Sequence, residues 1–194
     1  APRERAASLR PLRTLSWHAT DPNEDLLRHR LFVRQLGDEV WRLLSEPTRE
    51  QVHTWDTATV PDGWYELRLV TDDGPDNPGT RRLSAQKTLG PLPVDNTPPE
   101  LDGWELTHRH DGFALALSAR DRFDVLAGAE IVLPDGSRER LDPVDGICDS
   151  ARERFAVEVP YPGPWDAAPP RPWTVRVQVW DLQGNLATVS GVLP

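Results

Sequence analysis

Two strand-like patterns occur twice in this chain, once in each half. In both, apolar residues alternate with polar ones and the run ends on an aspartate, and period-2 alternation of this kind is typical of a half-buried β-strand. The shorter pattern reads Leu15-x-Trp17-x-Ala19-x-Asp21 and Leu115-x-Leu117-x-Ala119-x-Asp121. The longer pattern reads Tyr65-x-Leu67-x-Leu69-x-Thr71-x-Asp73 and Trp173-x-Val175-x-Val177-x-Val179-x-Asp181. The repetition predicts two tandem modules of the same β-rich plan.

Short strands separated by turn residues account for most of the remaining sequence. No long stretch has the 3.6-residue period of a helix, which favours an all-β fold of sandwich type. In the first half we predict strands at 14–20, 27–35, 39–44, 51–57, 64–71 and 82–92. In the second half we predict strands at 103–109, 112–120, 126–133, 137–141, 154–159, 172–180 and 186–192.

The two modules are predicted to meet at Val94-Asp95-Asn96-Thr97-Pro98-Pro99. Consecutive prolines fix their own backbone and restrict the residue before them, so this segment favours a short, stiff linker. We therefore expect one module over residues 1–95 and a second over residues 96–194. Each has about the 100 residues of an immunoglobulin-type sandwich, enough to bury its own core.

Composition excludes several classes of partner. The 194-residue chain has a net charge of −9, which argues against nucleic-acid binding and against an anionic membrane surface. It contains no apolar run of the ~20 residues that cross a bilayer, so we expect no direct membrane insertion. Cys148 is the only cysteine, so the chain cannot form an internal disulfide.

Several motifs of the first half resemble a bacterial fibronectin type III domain. They are Leu15-Ser16-Trp17, Trp41, Trp55-Asp56-Thr57 and Pro61-Asp62-Gly63-Trp64-Tyr65. The Val94–Pro99 segment resembles the junction to a second immunoglobulin-like domain. In that second domain the resemblance is carried by Asp145–Ser150, Trp180-Asp181 and Gly184-Asn185. The fold that the resemblance implies is two tandem immunoglobulin-like (fibronectin type III-like) β-sandwiches joined by a short Pro-Pro linker.

The resemblance also implies a biological setting. Such pairs are found at the C-terminal end of large exported bacterial proteins, often after a β-propeller. It implies a non-catalytic structural, adaptor or adhesion module, located outside the cell, on its surface or in the periplasm. Its partners would be other domains of the same polypeptide or other proteins, and it transfers no catalytic residue and no required cofactor.

Carboxylates near the linker suggest a calcium site. In an immunoglobulin-type sandwich, the loops that follow the second and sixth strands lie beside the point where the chain enters. We therefore predict Asp95, Asp121 and Asp181 as calcium ligands at the domain junction, because calcium prefers oxygen donors. The alternative is that these residues cap turns and face water. The loop Asp21–Asp25 has the opening of a calcium loop but lacks the glycine and glutamate of an EF-hand, so we interpret it as an acidic turn.

Tryptophan is used eight times, which raises the possibility of carbohydrate binding. Exposed indole rings can stack on sugars, whereas buried ones fill the core. Trp64 and Trp180 fall on the polar face of their predicted strands, and Trp165 falls in a proline-rich loop. A carbohydrate-binding accessory module using these three tryptophans is therefore the alternative function. No serine, histidine and acid stand on recognisable catalytic motifs, so we do not expect an enzyme.

Overall fold

Antiparallel strands dominate the part of the chain that the computed structural model describes, residues 11–160 and 172–193. The alternating patterns of the first half become strands because one face of each can be buried while the other stays wet. The six strands are β1 Leu12–Ser16, β2 Arg28–Gln35, β3 Arg42–Leu43, β4 Val52–Asp56, β5 Gly63–Asp72 and β6 Ser84–Val94. Single 3-10 turns lie at Thr57–Thr59 and Gly79–Arg81.

These strands form two antiparallel sheets, one in the order β3-β2-β5-β6 and the other containing β1 and β4. The core includes Val33, Trp55, Tyr65, Leu67 and Val94. The Trp55 and Tyr65 rings meet edge to face, with centroids 6.0 Å apart. This arrangement is compatible with a β-sandwich.

Seven strands follow in the second half. They are β7 Glu100–His108, β8 Gly112–Arg120, β9 Leu126–Val132, β10 Arg138–Leu141, β11 Arg152–Pro160, β12 Trp173–Asp181 and β13 Leu186–Leu193. They form the antiparallel sheets β11-β8-β7 and β10-β9-β12-β13. Val175, Val177 and Val179 of β12 are fully buried in a core that also holds Phe155 and Trp173.

The strands divide into two compact units, which we call the first unit (β1–β6, through Asn96) and the second unit (β7–β13, from Thr97). Asn96 is tied to the first unit by four hydrogen bonds, one of which its Oδ1 accepts from Thr57 Oγ1 at 3.4 Å. Its backbone N–H donates to Asp62 Oδ1 at 2.7 Å, and its Nδ2 donates to the carbonyls of Thr57 and Val60 at 3.1 Å each. The prediction of an all-β chain is confirmed. The short helices that the structure describes include none with the length and apolar character of a bilayer-spanning segment.

The strand predicted at 14–20 forms as β1 but ends at Ser16. Beyond it, a side chain substitutes for the partner strand: Gln51 Oε1 accepts from the Ala19 N–H and Gln51 Nε2 donates to the Ala19 carbonyl, both at 3.0 Å. The alternation of exposure continues through this stretch, as predicted. Trp17 is half-buried, however, and the fully buried tryptophan of this core is Trp55.

Candidate functional site

Three carboxylates converge at one end of the first unit. Asp21 follows β1, Asp25 lies in the same loop, and Asp73 directly follows β5. One oxygen from each lies within 4.8 Å of the others. Asp73 is 4 % exposed, and the other two are half-buried. We call these three residues the acidic cluster.

Amide groups of the surrounding loops hold the acidic cluster in place. Asp73 Oδ1 accepts from the Leu83 N–H at 2.7 Å, and Asp73 Oδ2 accepts from Asn77 Nδ2 at 3.1 Å. The same Asn77 amide donates to Asp25 Oδ2 at 2.8 Å. Asp21 Oδ1 accepts from the Asn23 N–H at 2.8 Å, the local turn that short acidic side chains favour. These bonds stabilise the loops and also position the carboxylates.

The second unit builds the same arrangement at the matching positions of the repeat. Asp121 Oδ1 accepts from the Phe123 and Asp124 N–H groups at 2.8 Å each. Asp181 accepts from Asn185 twice, at Oδ1 from the backbone N–H at 2.9 Å and at Oδ2 from Nδ2 at 2.8 Å. Oxygens of Asp121 and Asp181 lie within 4.8 Å of each other. The Asp–x–x–x–Asn spacing therefore has the same structural role in both units.

Burial makes the Asp181 carboxyl a weaker acid than an exposed aspartate. Removal from water raises its pKa, the hydrogen bonds from Asn185 act in the opposite direction, and the negative charge of Asp121 raises it further. The net direction is upward, because removal from water disfavours the ionised form more than the hydrogen bonds favour it. Carboxylate oxygens held this close together can also bind a cation.

The three predicted calcium ligands lie at, or directly after, the ends of three different strands. Asp121 and Asp181 are brought together within the second unit, as described above. Asp95 directly follows β6 and is buried, at 2 % exposure. A calcium ion held jointly by all three residues stays a prediction.

Sequence reasoning missed Asp73 and Asn77 as members of a carboxylate site. We interpreted the Asp21–Asp25 loop as a turn, which its hydrogen bonds confirm, but did not connect it to the end of β5. The signal was present in the repeat, since Asp73 occupies the position of Asp181 in the longer pattern.

The tryptophans predicted for carbohydrate binding lie in different places. Trp64 on β5 is 46 % exposed. Trp180 on β12 is half-buried, and its ring lies so close to Gly128 that a Cβ there would be 2.6 Å from Trp180 Cζ2. Trp165 lies outside the described residues. Trp64 and Trp180 belong to separate units, and carbohydrate binding stays a prediction.

A groove of about 350 Å³ runs beside the acidic cluster in the first unit. Its walls come from the segment after β1, including His18 and Asp21, and from β5 and the start of β6, including Leu69, Thr71 and Ala85. Apolar and acidic side chains therefore share one surface depression.

One hydroxyl–imidazole contact beside this groove has the pairing of a nucleophile and a base. His29 Nδ1 lies 2.8 Å from Thr71 Oγ1, and burial lowers the pKa of His29 while the charge of Asp72 acts in the opposite direction. A triad would need the adjacent Asp72 to orient the imidazole. Asp72 instead accepts from Arg28 at 2.8 Å and from Arg30 at 3.1 Å. With His29 only 1 % exposed, the contact serves to satisfy a buried polar pair.

The arginines also determine the acidity of Asp72. Burial alone would raise its pKa, but the hydrogen bonds from Arg28 and the Gly74 N–H, together with both guanidinium charges, hold the pKa below its usual value. Asp72 is therefore an ionised structural carboxylate and not a proton donor.

Comparison with known proteins adds no family assignment. No protein-family model matches the chain, and no curated protein matches it in sequence.

Proposed function

We propose that this chain is a non-catalytic structural, adaptor or interaction module of a larger exported bacterial protein. In this proposal the first unit is a fibronectin type III-like sandwich and the second an immunoglobulin-like sandwich, linked through Thr97-Pro98-Pro99. The exported location and the bacterial setting are supported by the motif resemblance described above.

The observation that carries the proposal is the shared use of carboxylates in the two units. Asp73 and Asp181 are both buried and both accept from an asparagine four residues later. Catalytic carboxylates usually lie in different environments, which separate their pKa values so that one acts as the acid and the other as the base. A repeated loop-building role is what a structural module needs.

A second observation supports the fibronectin type III-like assignment of the first unit. Tyr65 is buried near the start of β5, and its hydroxyl donates to the Pro61 carbonyl at 2.7 Å. A tyrosine that bonds back to the preceding corner in this way is characteristic of immunoglobulin-type sandwiches.

The non-catalytic assignment can be tested through the hydroxyl–imidazole pair. Thr71→Val removes the hydroxyl with little change of shape, and Thr88→Val on exposed β6 is the matched control. We expect the wild-type chain to show no turnover of chromogenic esters, phosphate esters or glycosides above background. Turnover that Thr71→Val removes and Thr88→Val preserves would contradict the proposal.

Carbohydrate binding is the alternative, and the exposure of Trp64 is the observation that favours it. Affinity gels containing soluble polysaccharides test it directly. The structural proposal predicts unchanged mobility of the wild-type chain. Retention that is lost on changing Trp64, Trp165 or Trp180 to alanine would establish the carbohydrate-binding module instead.

A further inference from the structure

In the described part of the chain, no strand covers β6 of the first unit, whereas β7 covers the corresponding strand β13 of the second unit. In the second unit, β7 pairs with β8 and its side chains lie against β13: a Cβ added at Gly191 would come within 2.7 Å of Leu106 and 3.0 Å of Trp104. The equivalent sheet of the first unit contains only β1 and β4 among the described residues. No described strand takes the place of β7 there.

The consequence is visible on β6. Leu67, Leu69 and Thr71 of β5 face the core side of their sheet, and their cross-strand partners on β6 are Leu89, Lys87 and Ala85. Directly opposed residues of an antiparallel pair point to the same face. All three partners are nonetheless exposed, with Leu89 at 57 %. Among the described residues, part of an inner sheet face is therefore open to solvent, and Ala85 and Lys87 of this face line the groove described above.

The backbone of β6 is open as well. The strand pairs with β5 along one side, and in the described chain no other strand pairs with it. Ser84–Leu89 contains no proline, whereas Pro91 and Pro93 interrupt the remainder of the strand. An unpaired edge of this kind can accept a further strand, because each added residue can satisfy free N–H and C=O groups.

Charge indicates what the added strand should carry. Asp21 and Asp73 line the groove at one end, and no salt bridge between described residues reaches the acidic cluster. Lys87 lies on the open face and disfavours a second cation beside it. A basic residue would thus be favoured at the end near Asp21 and Asp73, with small or apolar side chains elsewhere.

We propose that the groove of the first unit binds an extended segment of a partner protein as an additional β-strand along Ser84–Leu89. The segment places apolar side chains beside Ala85 and Leu89 and one lysine or arginine beside the acidic cluster. This inference deepens the interaction role proposed above and rests on it.

The test is a titration of the intact, ¹⁵N-labelled chain with defined peptides. The probe is a blocked octapeptide that alternates threonine and valine and begins with arginine. One control peptide replaces the arginine with glutamate, and another replaces alternate residues with proline. We expect saturable shifts in Ser84–Leu89 and at Asp21 with the probe alone. Leu89→Glu should weaken binding by roughly tenfold or more, because the apolar contact is lost, whereas Leu36→Glu, at a leucine of similar exposure, should not.

Each other outcome overturns the groove assignment in a recognisable way. Shifts confined to the second unit would refute the groove and leave the interaction role standing. An absence of shifts with every peptide would refute the groove, as would full protection of Ser84–Leu89 amides in the peptide-free chain, since the edge would then be occupied already. If calcium chloride shifts the amide resonances of Asp21 and Asp73 and no peptide does so, the groove assignment is refuted and the acidic cluster is a cation site.

Discussion

Asn77 Nδ2 donates a hydrogen bond to the buried carboxylate of Asp73 across the loop that follows β5, at 3.1 Å. It also reaches Asp25, at 2.8 Å, and so joins the two loops that border the acidic cluster. Because Asp73 is almost wholly buried, loss of this donor leaves an oxygen without compensation for its lost water.

Replacement of Asn77 by alanine should therefore destabilise the chain. We expect the free energy of unfolding to fall by about 1–3 kcal/mol, the usual cost of leaving a buried acceptor unsatisfied. Urea unfolding followed by tryptophan fluorescence measures this. Asn23→Ala is the control, because Asn23 is exposed and it is its backbone N–H that bonds to Asp21. Equal, negligible effects of the two substitutions would show that the Asn77 side chain does not stabilise the loops that it joins.

The Tyr65 hydroxyl provides a second, narrower test. Tyr65→Phe keeps the ring against Trp55 and removes only the bond to the Pro61 carbonyl. We expect a loss of about 0.5–1.5 kcal/mol, the net value of a typical hydrogen bond. Denaturant melts of the two proteins give the difference, and an unchanged midpoint would mean that the corner is held by packing alone.

The buried His29 predicts a pH dependence of stability. Its pKa in the folded chain is below the ordinary value of 6.5, because burial disfavours the imidazolium. The unfolded chain therefore binds the proton more readily, and the free energy of unfolding should fall as pH decreases through about 6.5. His29→Gln keeps a group that can bond Thr71 and does not titrate. Chemical melts between pH 8 and pH 5.5 should show a flatter profile for this variant, and identical profiles would refute the assignment.

Cys148 should react slowly in the folded protein. It is half-buried against the core of the second unit, and burial, followed by the charge of Glu153, raises the pKa of its thiol. The thiolate is the reactive form, so alkylation by iodoacetamide at pH 7.5 should be slow and should accelerate in urea. Since Cys148 is the only cysteine, mass spectrometry reports it without ambiguity. Equal rates in buffer and in urea would contradict this placement.

Alternation of apolar residues was sufficient to predict the all-β fold, because the burial of one strand face is a local property of the sequence. β2, β5, β8 and β12 each lie within two residues of their predicted bounds. The end of β1 was not predictable, since it depends on Gln51, a residue distant in sequence that replaces a strand at Ala19. The different depths of Trp17 and Trp55 have a similar cause, because the depth of a side chain depends on which strands cover it, and alternation reports only the face.

The carboxylate sites show the same limit. The Asp21–Asp25 turn was predictable because its hydrogen bonds are local. The approach of Asp73 to Asp21 depends on how two sheets pack, although the internal repeat contained a hint in the equivalence of Asp73 and Asp181. Alternation did not predict the open face of β6, because the exposure of that face depends on which other strands cover it.

Residue-resolved amide hydrogen exchange of the intact, unliganded chain tests most directly the claim that this protein presents an open strand for interaction. The strand β6 should show alternation across Ser84–Leu89, with amides that bond to β5 exchanging slowly and those on the other edge exchanging rapidly. The central strand β8, paired on both sides by β7 and β11, should be protected at successive residues. Uniform protection of Ser84–Leu89, equal to that of β8, would contradict the account.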